Sequence, residues 1–346
     1  LIAKLRLKIT AKNTVIVFLP DYFCNEALTL LRKENVKLYF YTIDEELNPT
    51  KESIYTLLNK NIFPDLIIQV HYFGKPYNTS FLRSIADKYS SWFIEDATHV
   101  MVPTGLIGEH GDFILYSQYK HFPIPEGALL VIHKPILIQN INVKLVIDSL
   151  FLIDDESHKK LSKLSSHLIW ILKRLFQKYL FNFSVKPILN PIPKQIKFIT
   201  SGHTMSLYAK TMLKHLIPTI DQRIAKKFQT VSKIQYILSL IGDNQADNIN
   251  YIPYLQRYKT SRETPNIISI VKEQNDIWRH FPYYLWPDLP PEVLSNKVQH
   301  KIAEDLYLSS LFLPIHTSIS NDQLDVFMKA CLRYTNERSD SFLNSH

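Results

Sequence analysis

The sequence predicts an α/β protein, a mostly parallel sheet flanked by helices, with a smaller α+β domain at its C-terminal end. Three observations predict it. Short, continuous apolar runs rich in β-branched residues recur through the first third of the chain. Amphipathic segments of about ten residues separate them, the signature of strands buried on both faces and joined by crossover helices. Beyond residue 120 that alternation fades and longer helical and proline-rich stretches replace it.

The elements follow in order. "LIAKLRLKIT" reads as the last turns of a helix already under way. "TVIVFLP" (14–20) is a strand, "NEALTLLRKEN" has helical spacing, and "VKLYFYTID" is a second strand. "KESIYTLLNKN" is helical, "DLIIQVHYFG" a strand, "TSFLRSIADKYS" helical, and "SWFIEDATH" a strand with an acidic end. "GDFILYSQYK" is a further strand, and "GALLVIHKPILI" a strand or hairpin arm behind a proline turn. "PILNPIPKQI" (187–196) is a proline-dense hinge. The longest helical stretch runs from 205 to 241, with Pro218 marking a kink or break because proline lacks the N–H a helix interior needs. "NIISIV" is expected as a strand and "NDQLDVFMKACLRYT" as a terminal helix. The boundary falls between 185 and 215, giving a large domain at 1–200 and a small α+β domain at 201–346.

Composition narrows the classes of function. Hydrophobic residues make up 46% and charged residues 21%, which excludes wholesale disorder. Only 7 glycines stand against 19 prolines, so glycine-rich phosphate loops and repeat arrays are not expected. The net charge of +8 suits anionic partners, yet no block of five or more Lys/Arg occurs, so a nucleic-acid surface is not predicted. The two cysteines, Cys24 and Cys331, fit no metal pattern and point to a reducing, cytoplasmic setting. The acidic loop "GDNQADNIN" lacks the central Gly and closing Glu of a calcium loop, and no metal site is expected. "SSHLIWILKRLFQKYLFNF" (165–183) is interrupted by Lys173, Arg174 and Lys178 and fails as a membrane span; it reads as an amphipathic helix packed on its own protein. "WRHFPYYLWPDLPPEV" (278–293) reads for the most part as core of the small domain, with Trp286 and His280 set apart as aromatic faces for a sugar or nucleotide.

In a parallel sheet, ligands bind outside the carboxyl ends of the strands. Asp96 ends one predicted strand with His99 just after it; Ser117 and Lys120 follow the next. The four therefore emerge at one edge. Singly, each has a plain structural role: Asp96 as a cap, His99 as a loop histidine, Ser117 as a strand residue, Lys120 as a solvated or ion-paired cation. Together, a lysine and a carboxylate in one crevice match the requirements of pyridoxal phosphate. The lysine bonds the cofactor's aldehyde, and the carboxylate keeps the pyridine nitrogen protonated. Tyr119, Phe122 and Pro123 would lower the lysine pKa by desolvation.

The stretch "FIEDATH…GEHGDFILYSQYKHFPIPEGALLV" resembles the Schiff-base region of the DegT/StrS family, pyridoxal-phosphate-dependent sugar aminotransferases of fold type I, whose members read approximately "EDAAHA…GDxxxxSF…K…GEGG". Upstream, "VIVFLPDYFCNEA", "YTIDEELNPTKESI" and "IIQVHYFGKP" resemble the family's strand-turn-helix signatures in order. Downstream, "LFLPIHTSISNDQLDVFMKAC" resembles its closing segment. The resemblance implies that Lys120 is the Schiff-base lysine, Asp96 the partner of the pyridine nitrogen and His99 a neighbour of the cofactor ring. It implies that Ser117, five residues after Asp112, contacts the phosphate, and that Tyr22 or Phe23 supplies an aromatic near the ring. It further implies a cytoplasmic homodimer that moves an amino group from a glutamate-like donor to a keto-sugar, nucleotide-linked, in surface-polysaccharide or sugar-derivative synthesis.

The departures define the rival. Lys120 follows Ser117 sooner than in the family, the double glycine is reduced to Gly127-Ala128, and "TSGHTMS" lacks the family's Asn and Arg. The chain starts after the place of the family's Ser-Gly-Thr phosphate turn, so a missing N-terminal segment is expected. The alternative is a catalytically inactive relative that keeps the fold as a binding or scaffolding module.

Overall fold

In the computed structural model the described residues are 1–133, 168, 170–172, 205–240, 249–259, 288–317, 319–329 and 331–332. The hinge at 187–196, most of the 165–183 segment, the acidic loop at 242–248, "NIISIV", Trp286 and His280 lie outside them.

A six-stranded sheet carries the first part of the chain, in the order β2-β1-β3-β4-β5-β6. Its strands are β1 (Val15–Pro20), β2 (Val36–Tyr41), β3 (Leu66–Val70), β4 (Trp92–Ala97), β5 (Phe113–Tyr116) and β6 (Leu129–Ile132). The first five are mutually parallel; β6 runs antiparallel to β5 and closes the edge as the expected hairpin arm. β1 is an interior strand, flanked by β2 and β3, with Val15, Val17, Phe18 and Leu19 fully buried, which is why its sequence is a continuous apolar run. β2 is an edge strand and is half-exposed over most of its length. After β1 the chain steps to one side to form β2, then returns past it to form β3. In open α/β sheets, ligands bind at such a reversal, outside the carboxyl ends of the strands.

Helix α1 (Ile2–Thr10) precedes the sheet and ends at Ala11 in the left-handed conformation. Helices α2 (Lys51–Asn59) and α3 (Ser80–Lys88) are crossovers. Each buries an i, i+3, i+4 triplet, Ile54, Leu57 and Leu58 in one and Leu82, Ile85 and Ala86 in the other. The crossover expected as a helix between β1 and β2 is different. It forms two 3-10 turns, Asn25–Leu28 and Leu31–Lys33. The amide of Asn25 is taken by the carbonyl of Asp288, and Arg32 bonds the Asn25 side chain and Glu292. Ala27, Thr29, Lys33 and Glu34 bond three residues back instead of four. With only Leu28 buried, no apolar stripe is present to hold a full helix against the sheet.

The chain divides into two compact units. The first comprises Leu1–Lys160, Phe198–His215 and Pro287–Leu308, so it takes back residues that a boundary at 200 leaves in the C-terminal domain. The second contains the helix Ile220–Leu240 and the antiparallel pair β7 (Leu255–Lys259) and β8 (Ser310–Pro314), with helical residues at 321–329. Helix Leu207–Leu216 ends where the sequence predicts a break, in a 3-10 turn at Ile217–Thr219 built around Pro218. Lys227, buried in the second unit, donates to the carbonyls of Pro253 (2.9 Å) and Ile315 (2.6 Å). Among the described residues no helix is long and apolar enough to cross a membrane, and no group of three or more His, Cys, Asp or Glu could hold a metal ion.

Candidate active site

The carboxyl ends of β1, β3, β4 and β5 deliver Tyr22–Phe23, His71–Phe73, Thr98–His99 and Ser117–Lys120 to one edge of the sheet. Strand alternation then sorts the two acids at the end of β4. Asp96 is in register with Val70 and Leu115, and Glu95 with Gln69 and Ile114, so the two carboxylates project from opposite faces.

On one face Asp96 accepts the backbone N–H of Thr98 at 3.0 Å, a tight turn that starts the loop after the strand. Lys120 ends a 3-10 turn whose backbone closes on the Ser117 carbonyl at 3.1 Å. Its Nζ donates to Thr98 Oγ1 at 3.3 Å. Burial pushes the Lys120 amine below the ordinary lysine range, and the charges of Asp96 and Cys24 oppose that shift without cancelling it. His99 accepts the Phe73 N–H on Nδ1 at 3.3 Å, and the two rings lie nearly parallel, 6.0 Å between centroids and 12° between planes. An Nδ1 that accepts leaves the ring proton on Nε2. Desolvation, followed by the charges of Lys120 and His121, holds the imidazole well below its usual pKa, so it is neutral at pH 7. Phe73 reaches this position through a left-handed backbone, φ 58°, an uncommon conformation for a side chain of its size.

Of the residues expected at the site, Lys120, Asp96 and His99 stand within one electrostatic neighbourhood at the strand ends. Ser117 opens the Lys120 turn and is buried. Tyr22 is wholly buried; its ring packs against Tyr72 at 5.8 Å and its carbonyl accepts the Tyr72 hydroxyl at 2.7 Å. Phe23 is 8% exposed. Both residues occupy the turn that leads to Cys24, which is electrostatically coupled to Lys120.

Sequence reading missed Thr98, Phe73 and the structure around Glu95. The Glu95 carboxylate is fully buried and accepts four hydrogen bonds: from His71 Nε2 (2.8 Å) and from the amides of Gly108 (2.6 Å), His110 (2.9 Å) and Gly111 (2.6 Å). Burial alone would raise its pKa; the His71 and backbone hydrogen bonds outweigh burial and hold it below the usual carboxylate value. His71 accepts the Tyr77 amide on Nδ1 at 3.3 Å, which leaves Nε2 protonated to face Glu95. Glu95 thus anchors the 98–111 loop, and with it Thr98 and His99, to the sheet. The one available signal was the pair of glycines, Gly108 and Gly111, close behind the acidic strand end. A second buried pair, Asp21 Oδ2 with His300 Nδ1 at 2.9 Å, sits at the end of β1 and spans far too much sequence to be read from it.

The parallel α/β sheet, with a desolvated lysine, a carboxylate and a neutral histidine at its strand ends, has the same fold as known aminotransferase structures. Solved structures share it. An aminotransferase of the DegT DnrJ EryC1 StrS type from Brucella abortus superimposes with a TM-score of 0.64 at 11% identity, covering 96% of this chain and 83% of its own. The NtdA protein of Bacillus subtilis, with bound cofactor PMP, gives a TM-score of 0.59 at 14% identity over 96% of this chain and 70% of its own. Residues 1–147 match the model of the DegT/DnrJ/EryC1/StrS aminotransferase family. Among curated proteins, a dTDP-4-amino-4,6-dideoxy-D-glucose transaminase of Shigella dysenteriae is 21% identical over 271 residues, 75% of this chain. The chain spans 63% of that relative's length.

Proposed function

We propose that this chain is a pyridoxal-phosphate-dependent aminotransferase that moves an amino group from an amino acid to a keto-sugar carried on a nucleotide. One observation carries the proposal: a lysine amine, made easier to deprotonate by burial, stands at the strand-end edge within the field of the Asp96 carboxylate. The family match, the Shigella dysenteriae relative and the PMP bound to the Bacillus subtilis protein support it.

The residues present fit the cofactor. Its aldehyde needs an amine that deprotonates readily, which burial of Lys120 favours. Its pyridine nitrogen needs an anionic acceptor, and Asp96 lies on the same edge as Lys120. When bound, the cofactor supplies a carbonyl for the amino group and a ring that takes up an electron pair. Lys120 would hold it, and Lys120 Nζ, once free, would take the proton from the donor's α-carbon and return it two atoms away, to the carbon on the far side of the transferred nitrogen. Asp96 would keep a proton on the ring nitrogen. His99, neutral with Nε2–H outward from its Phe73 bond, would donate a hydrogen bond without adding charge. Ser117, Tyr22 and Phe23 complete the proposed set, with Ser117 offered to the phosphate. The reading extends to a glutamate-like donor, a role in polysaccharide or sugar-derivative synthesis, and a cytoplasmic homodimer of a large and a small domain.

The test is spectroscopic. The full-length protein supplied with pyridoxal phosphate should develop a visible absorbance band that a glutamate-type donor bleaches, and Lys120→Ala should abolish it. Asp96→Asn should retain the band and lose at least about a hundredfold in turnover. A wild-type protein that shows no band under saturating cofactor refutes the proposal.

A further inference from the structure

We propose that Thr98 is a positioning residue for the reactive amine: its hydroxyl accepts the Lys120 ammonium and parks Nζ at the strand edge while the cofactor is absent. The inference rests on Lys120 being the reactive amine. It adds a residue to which neither the family pattern nor the expected site assigns a part, since the pattern "EDAAHA" places an alanine, with no side-chain acceptor, where this chain has Thr98.

Three features of the geometry converge on it. Thr98 Oγ1 lies 3.3 Å from Lys120 Nζ, across the gap between the ends of β4 and β5. The Thr98 backbone is itself held, because its N–H is taken by Asp96 Oδ1 at 3.0 Å. Its side chain is β-branched, so the hydroxyl has few rotamers in which to stray. The carboxylate expected at the ring nitrogen therefore also orients, through one residue, the acceptor that holds the amine. The loop beyond Thr98 is pinned in turn by Glu95 through the amides of Gly108, His110 and Gly111.

The physical effect has a sign. A hydrogen-bond acceptor on the ammonium favours the charged form, whereas burial disfavours it. Asp96 and Cys24 also favour the charge on Lys120, and His99 and His121 are the neighbouring imidazoles. Thr98 thus keeps the resting amine localised in a site whose burial lowers the pKa of the ammonium. Removing the hydroxyl lowers the pH at which Nζ loses its proton and widens the positions it samples.

The experiment needs no bound cofactor. Competitive acetylation of the cofactor-free full chain with isotopically labelled acetic anhydride, read at Lys120 by mass spectrometry across pH 6 to 11, reports the amine's titration. Thr98→Val and Thr98→Ala should move its midpoint down by about 1 to 2 pH units, the size expected for one hydrogen bond to a charged group, and Thr98→Ser should retain the wild-type midpoint. Superimposable Thr98→Val and wild-type curves overturn the proposal. So does a Thr98→Ser shift as large as that of Thr98→Val, which would assign the effect to the methyl group. Because the labelling is independent of the visible band, loss of the aminotransferase reading and loss of the Thr98 contact are separate results.

Discussion

Lys120 and Lys227 are both amines withdrawn from water, and the difference between them is what surrounds the nitrogen. Lys227 Nζ ends against two backbone carbonyls, a partner set suited to fixing a local structure, and burial lowers its pKa to about 8. Lys120 Nζ meets a hydroxyl at a strand edge and the field of a carboxylate, a partner set suited to exchange. Lys227 makes a clean linkage prediction. Below about pH 8 both folded and unfolded chains carry the proton, and the folded state bears the full cost of the buried charge. Between pH 8 and the unfolded value near 10.4 the folded chain has released the proton while the unfolded chain still binds it, so stability rises with pH. Relative to Lys227→Met, the wild type should therefore gain up to about 3 kcal/mol across that window, measured by urea unfolding at a series of pH values. A pH-independent difference between the two proteins would show that the ammonium is solvated in the folded state.

At the scale of elements, β4 does two jobs because its side chains alternate. Asp96 faces the proposed chemistry, and Glu95, one residue earlier, ties down the loop on the other face. Ala97, Val100, Ile107, Ile114 and Tyr116 form the small apolar cluster under that loop. Gly111 is where the loop backbone comes closest: a Cβ there would lie 2.9 Å from the Phe113 carbonyl and 3.1 Å from Glu95 Cγ. Both neighbours are fixed, one as strand backbone and one by its four hydrogen bonds. Gly111→Ala should destabilise the protein by about 1 to 3 kcal/mol in chemical denaturation and loosen the amides of 108–111 in hydrogen exchange. Unchanged exchange in those amides would mean that the loop does not depend on this close approach.

On the whole-molecule scale, the first compact unit is closed by a segment from far along the chain. Asp288 accepts the Asn25 amide at 3.0 Å, Glu292 pairs with Arg32 at 2.7 Å, and His300 meets buried Asp21 at 2.9 Å. Burial raises the Asp21 pKa and the His300 hydrogen bond opposes that rise, so Asp21 relies on its partner. The Arg32 pair is partly exposed and contributes little. His300→Ala should leave Asp21 buried without its imidazole, at a cost of about 3 kcal/mol. The variant should exchange amide hydrogens at 288–308 faster than the wild type does, with the interior strands less affected. Exchange at 288–308 that matches the wild type would place the closure on Asp288 and Glu292 instead.

The sequence by itself determined the parallel sheet, its two crossover helices, the break at Pro218 and the edge at which Asp96, His99 and Lys120 emerge. These are consequences of local periodicity, which records how many faces of a segment are buried and where a strand ends. It did not determine whether residues 25–34 form a helix or two 3-10 turns, because apolar spacing cannot report that Asp288 takes the first amide. Nor did it assign Glu95 its part: that carboxylate becomes an anchor only because the fold brings His71 and the amides of Gly108, His110 and Gly111 to it. Thr98 and His300 were likewise invisible, since a hydroxyl or an imidazole acquires a role only from the group it meets. Burial leaves its trace in a local pattern, whereas the partner of a buried polar group is chosen by tertiary contacts between segments the sequence keeps apart.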